Sequence, residues 1–145
     1  MKILVDTNVI LDILLKRSSF YQDSFAIFQL IDQERIAGYI TASVITDIFY
    51  IANKETKKAE TVYVGIENLT SLFSIAVVSE ATITNALALR WNDFEDAVQF
   101  IAAKENNVDY IITRNEADFK NSDIPCMSPT DFIAYLKEKE AAEKE

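Results

Sequence analysis

Strand-like and helix-like segments alternate along this chain, and the alternation predicts an α/β fold: a three-layer α/β/α sandwich around a parallel sheet of about five strands. Three observations carry that expectation. The strand candidates are short continuous apolar runs, as strands buried on both faces are. Segments of helical period separate them. Only two Gly and two Pro occur in 145 residues, too few for the turns of a propeller, an all-β sandwich or a barrel. A chain of this length forms one domain that buries roughly 70% of its unfolded surface. We expect the domain to span residues 1–136, with 137–145 a charged helix end or tail of mixed sign.

The elements follow in order. Lys2–Val5 is the first strand. Asn8–Lys16 and Tyr21–Ala37 are helices, the second stopped near Gly38. Tyr39–Thr41 is a short strand. Ser43–Lys57 is a helix with Ser43 as its candidate N-cap. Thr61–Leu72 is helical, though Gly65 weakens it. Phe73–Val78 is a strand, and Ser79 is placed to cap the helix Ala81–Arg90. In Asn92-Asp93-Phe94-Glu95 the pattern is that of a capping box, with Asn92 as cap and Glu95 at the third helical position. That helix runs to about Asn106. Val108–Thr113 is rich in β-formers and reads as a strand. Ile124–Met127 is the last strand, and Pro129 opens the final helix.

Composition excludes several chemistries. Without a single His, the chain has no Ser-His-Asp or Cys-His catalysis and no zinc site built on imidazole. Cys126 is the only cysteine, so no internal disulfide forms, which favours a reducing compartment. No run reaches the roughly 18 apolar residues of a membrane span. The expectation is a cytoplasmic protein without a membrane partner. The net charge of −9 opposes nucleic-acid binding over the whole surface. Lys54, Lys57, Lys58, Arg90 and Arg114 can still supply local positive patches.

Candidate chemistry lies in acids that interrupt or end apolar elements. A carboxylate facing a core is costly unless paired or bound to a cation, and hard cations such as Mg²⁺ take oxygen ligands. Asp6 ends the first strand, where parallel sheets bind ligands. It reads as a metal ligand or as a helix N-cap. Asp47 falls on the stripe Val44, Asp47, Ile48 and Ile51, where it needs a metal, a buried cationic partner or a rotated helix. Asp93 and Asp96 are neighbours at i, i+3, able to bind an ion or merely to complement the helix dipole. Asp96 lies nearer the Ala97, Phe100 and Ala103 side and ranks first. Glu95 is assigned to capping. Thr113, Asn115 and Asp118 follow a strand end, where a turn explains Asn115 and Asp118 as well as a site does. Asp12, Asp23, Asp32, Asp109, Asp123 and Asp131 are assigned to surfaces and caps.

In order and spacing these pieces resemble the PIN-domain family, the ribonuclease fold of VapC-type toxins. The pieces are Lys2-Ile3-Leu4-Val5-Asp6-Thr7-Asn8-Val9-Ile10-Leu11-Asp12, the acid on the helix after Thr41-Ala42-Ser43, Asp93-Phe94-Glu95-Asp96-Ala97, and Asp109-Tyr110-Ile111-Ile112-Thr113-Arg114-Asn115 through Asp118-Phe119. The resemblance implies three or four acids binding Mg²⁺ or Mn²⁺ and endonucleolytic cleavage of RNA. It makes Asp6, Asp47 and Asp96 the catalytic metal ligands, with Asp93 or Asp118 as further candidates. Thr7, Asn8, Thr113 and Asn115 fall behind them as supporting polar residues. Two departures stand out. Asp47 replaces the Glu usual in the toxins, and Asn115 stands where many members have Asp.

The expected reaction is metal-assisted phosphodiester hydrolysis, which needs neither His nor a covalent nucleophile. Single-stranded or looped RNA suits a recessed acidic cluster. The resemblance also implies an antitoxin partner that plugs the cleft with Arg or Lys, and a homodimer. Two rivals stand beside this reading. One is a catalytically silent PIN fold kept for partner binding. The other is a haloacid-dehalogenase-like Mg²⁺ phosphatase, which wants an acid where this chain has Asn8.

Overall fold

The structure, a computed structural model, describes residues 1–17 and 19–144. Among these residues five strands form one wholly parallel sheet. They are β1 (Lys2–Val5), β2 (Ala37–Thr41), β3 (Ser74–Ala76), β4 (Tyr110–Ile112) and β5 (Cys126–Met127), in the spatial order β3-β2-β1-β4-β5. The helices are α1 (Thr7–Leu14), α2 (Tyr21–Asp32), α3 (Ala42–Thr56), α4 (Ala59–Leu72), α5 (Glu80–Leu89), α6 (Phe94–Glu105) and α7 (Pro129–Glu143). A 3₁₀ turn covers Glu116–Phe119. The helix end expected at 137–145 belongs to α7 as far as Glu143, and Glu145 lies outside the described residues.

Alternation along the strands divides the core. Ile3, Val5, Ile40 and Ile112 face one side, packing with Val9, Ile27, Val44, Ile48 and Phe132 from the helices. Leu4 and Ile111 face the other, against Phe100, Ala102, Ala103 and Phe119. Helices cover both faces, so the central strands are apolar throughout and carry no solvent-facing alternation.

Several boundaries differ from the sequence expectation for local reasons. The helix α2 stops at Asp32, five residues before Ala37, and Glu34 turns the chain with φ 58°. Gly38 therefore sits within β2, where a Cβ would come within 2.5 Å of Ile31 Cδ1 and 2.8 Å of the Phe73 ring. Its absent side chain permits close approach of helix and strand, not a helix stop. At α3 the N-cap is Thr41 and makes no side-chain cap bond, so Ser43 is not the cap. At α6 the cap is Asp93, whose carboxylate accepts from Asp96 N at 3.0 Å. That shift moves Glu95 to the second helical position and frees its side chain from capping. Ser79 caps α5, in a box with Thr82.

Candidate active site

The centre of the site is Asp6. The sheet pairing brings β1 and β4 together, and Asp6 N donates to Ile112 O at 2.9 Å, so the residues after both strands emerge side by side. Asp6 is the N-cap of α1 as well as the strand-end acid: its carboxylate accepts from Thr7 N at 2.7 Å. Of the two readings offered by the sequence, the N-cap is the one this bond shows. Asp6 is only 6% exposed. Charge so deeply buried requires donors, and it has them. Oδ1 accepts from Thr7 N and from Gln99 Nε2 at 3.0 Å. Oδ2 accepts from Thr113 Oγ1 at 2.7 Å and from Asn8 Nδ2 at 3.3 Å.

Other carboxyls crowd this centre from α3 and α6. Glu95 is in side-chain hydrogen-bonding contact with Asp47. Burial first, then Asp47, Asp93 and Asp6, push its carboxyl up to about 8. Asp96 is buried, and burial followed by the charges of Asp93, Asp6 and Asp118 raises it to about 7. Asp93 and Asp118 are exposed and line a cleft of about 230 Å³ with Asp96, Trp91 and Lys120. The acids picked out in the sequence, Asp6, Asp47, Asp93, Asp96 and Asp118, therefore all act on one electrostatic neighbourhood.

The supporting residues divide. Thr113 and Asn8 bond Asp6 directly, as does the backbone of Thr7, whose own Oγ1 is buried without a partner among the described residues. Asn115 is exposed, and its backbone N–H donates to Thr113 Oγ1 at 3.0 Å. No bond joins its side chain to Asp6 among the described residues.

Three residues escaped the sequence reading. The sequence assigns Glu95 to the cap, a place that Asp93 takes. Gln99, fully buried, breaks the apolar run of α6 one turn after Asp96, and that interruption was its signal. Asp12 is the clear correction. The sequence places it on a surface or cap, whereas it is fully buried on α1 and paired with Arg114 and Arg17. It interrupts an apolar stripe in the way that singled out Asp47. Its partner Arg114 is consequently not the free surface cation the sequence suggested.

Among the described residues, no three acids or cysteines already form a group able to hold one ion. The donor set nevertheless suits a hard divalent cation, since every candidate ligand is an oxygen. Burial first, and neighbouring negative charge after it, raises the Glu95 and Asp96 carboxyls, and a cation would offset only the second of these.

The fold and this strand-end acidic centre define a parallel α/β protein with the layout of a PIN domain. The PIN domain family pattern matches residues 2–117, and the chain belongs to that family. It is similar to ribonuclease VapC1 of Aquifex aeolicus (strain VF5), with 24% identity over 136 residues, 90% of this chain and 92% of that protein. Its fold is also that of VapBC2 from Rickettsia felis bound to a promoter DNA fragment, with TM-score 0.67 and 18% identity over 88% of this chain and 98% of that one. A toxin-antitoxin complex from Klebsiella pneumoniae matches with TM-score 0.63 and 22% identity, covering 87% and 96% of the two chains. No helix among the described residues is long and apolar enough to cross a membrane.

Proposed function

We propose that this protein is a Mg²⁺- or Mn²⁺-dependent endoribonuclease, the toxin of a toxin-antitoxin pair. The observation that carries the reading is the buried strand-end Asp6 with Glu95 and Asp96 near enough to feel its charge, both of their carboxyls raised by burial first and by neighbouring acids after it. Perturbed carboxyls in a cleft at the strand ends are what a hydrolytic metal centre requires. Asp6, Asp47 and Asp96 would hold the ion, with Asp93 or Asp118 completing the set from the rim. Glu95 reaches the same place through Asp47. Such an ion supplies positive charge to a phosphodiester and promotes ionisation of water.

The chain's own residues have definite tasks in this reading. Thr113, Gln99 and the Thr7 amide hold the Asp6 carboxylate oriented. Asn8, the most distant of its donors at 3.3 Å, is the one whose release opens a lone pair on Oδ2. With its carboxyl held up at about 8, by burial first, Glu95 keeps its proton at neutral pH, so the centre does not carry its full formal charge before an ion enters. Because the acids are recessed, single-stranded or looped RNA is the substrate class that reaches them. An antitoxin would reach the same cleft with a cationic side chain. A homodimer belongs to the same proposal, as the VapC resemblance implies.

The test is cleavage of a mixed pool of structured RNA in EDTA, Mg²⁺ or Mn²⁺, beside Asp6→Asn. Metal-dependent cutting that the variant lacks supports the reading. Cutting that persists in EDTA, or equally in Asp6→Asn, contradicts it.

A further inference from the structure

Asp12 is a fully buried carboxylate outside the crowd of acids that perturbs Glu95 and Asp96. Its two oxygens receive a guanidinium fork: Arg114 Nε donates to Oδ2 at 2.8 Å and Nη2 to Oδ1 at 3.2 Å. Such a planar bidentate pair fixes direction as well as distance. The same helical face grips Arg114 a second time. Asn8 lies one turn before Asp12, and its Oδ1 accepts from the Arg114 backbone N–H at 3.3 Å. Phe20 covers the guanidinium, its ring centroid 3.9 Å from Cζ.

Arg114 directly follows Thr113, the residue whose hydroxyl holds Oδ2 of Asp6 at 2.7 Å. That hydroxyl has one proton to give. Asn115 N donates into its oxygen at 3.0 Å, which leaves the proton for Asp6. The Thr113 backbone is held on one side by its N–H to Met127 O at 2.9 Å, and the anchor at residue 114 holds the other side, between the Thr113 hydroxyl and the Asn115 amide that bonds it.

We propose that Asp12 is a positioning residue: its fork with Arg114 locks the strand-end segment 113–115, so that the Thr113 hydroxyl holds the Asp6 carboxylate in its working orientation. The consequence for catalysis rests on the nuclease reading. The link from Asp12 to Asp6 does not.

A buried ion pair can also be no more than a core contact, and replacing such a pair by apolar side chains of similar volume often leaves stability unchanged. The double variant Asp12→Leu/Arg114→Met separates the two roles. Arg114→Lys is its companion, because it keeps the charge and loses the fork. Three readouts on metal-free protein are needed: the thermal midpoint, hydrogen exchange at the amides of Arg114 and Asn115, and the ¹³C resonance of the Asp6 carboxyl. The expected result is a cooperative melt in both variants, exchange at Asn115 faster by on the order of tenfold, and a displaced Asp6 resonance. Mn²⁺ affinity is expected to fall by about ten- to a hundredfold, as for other residues that orient a ligand.

An unmoved Asp6 resonance with native exchange rates, in either variant that folds, overturns the proposal. If the parent protein binds no Mn²⁺ and cuts no RNA, the nuclease reading fails, while exchange and the Asp6 resonance still decide the role of Asp12.

Discussion

The side-chain amide of Gln99 donates to Oδ1 of Asp6 at 3.0 Å, joining two buried residues 93 positions apart. The orientation of that amide is forced. Turned over, its oxygen would oppose a carboxylate, and Oε1 as placed has no partner among the described residues. Gln99→Leu is therefore expected to cost about 1.5–3 kcal/mol, the range for a hydrogen bond to a charged group. Urea denaturation measures it, and Gln99→Glu should be worse because it opposes two carboxylates.

A second expectation concerns pH. Glu95 is raised from 4.5 to about 8 and Asp96 from 3.8 to about 7, so the folded protein keeps protons that the unfolded chain releases. Their contribution to stability is full below about pH 4 and is lost as pH climbs to about 8. Between these limits the metal-free protein should lose stability with rising pH relative to Glu95→Gln, whose profile flattens. Urea midpoints of the two proteins across this range test the sign.

Asp96→Asn should separate stability from function. It removes one of the crowded charges, so the metal-free variant is expected to melt at or above the parent temperature above pH 7. The same change removes a candidate ligand, and Mn²⁺ binding and RNA cleavage should fall together. Calorimetry with and without Mn²⁺ measures both.

Gly38→Ala tests the packing of α2 and Phe73 against β2. The new methyl would meet Ile31 and Phe73 at 2.5 and 2.8 Å. Overpacking of this kind costs about 1–3 kcal/mol, read as a lower urea midpoint.

The architecture was legible because buried parallel strands leave plain apolar runs, and helices on both faces leave helical periods between them. Lys2–Val5 matches β1 residue for residue. Ends were less legible. Gly38 has the composition of a stop signal, but its reason is contact with Ile31 and Phe73, residues that only the fold brings near. The acids of the candidate site were visible as charges inside apolar stripes. The raised carboxyl of Glu95 was not, because Glu95 is buried against Asp47 only when α6 packs beside α3. A one-residue shift of the cap from Asn92 to Asp93 then changed what Glu95 does. Asp12 was legible in the same way as Asp47, as a charge among the apolar residues of α1, but its partners Arg17 and Arg114 meet it only in the fold.

The most direct test of the account is a Mn²⁺ titration, followed by calorimetry or the loss of the free-ion paramagnetic signal, on the parent protein, Asp6→Asn and Asp96→Asn. Saturable binding is expected that weakens as pH falls below about 8, because protons on Glu95 and then Asp96 compete with the ion, and that both substitutions abolish. No saturable binding by the folded parent, or equal binding by parent and Asp6→Asn, would contradict it.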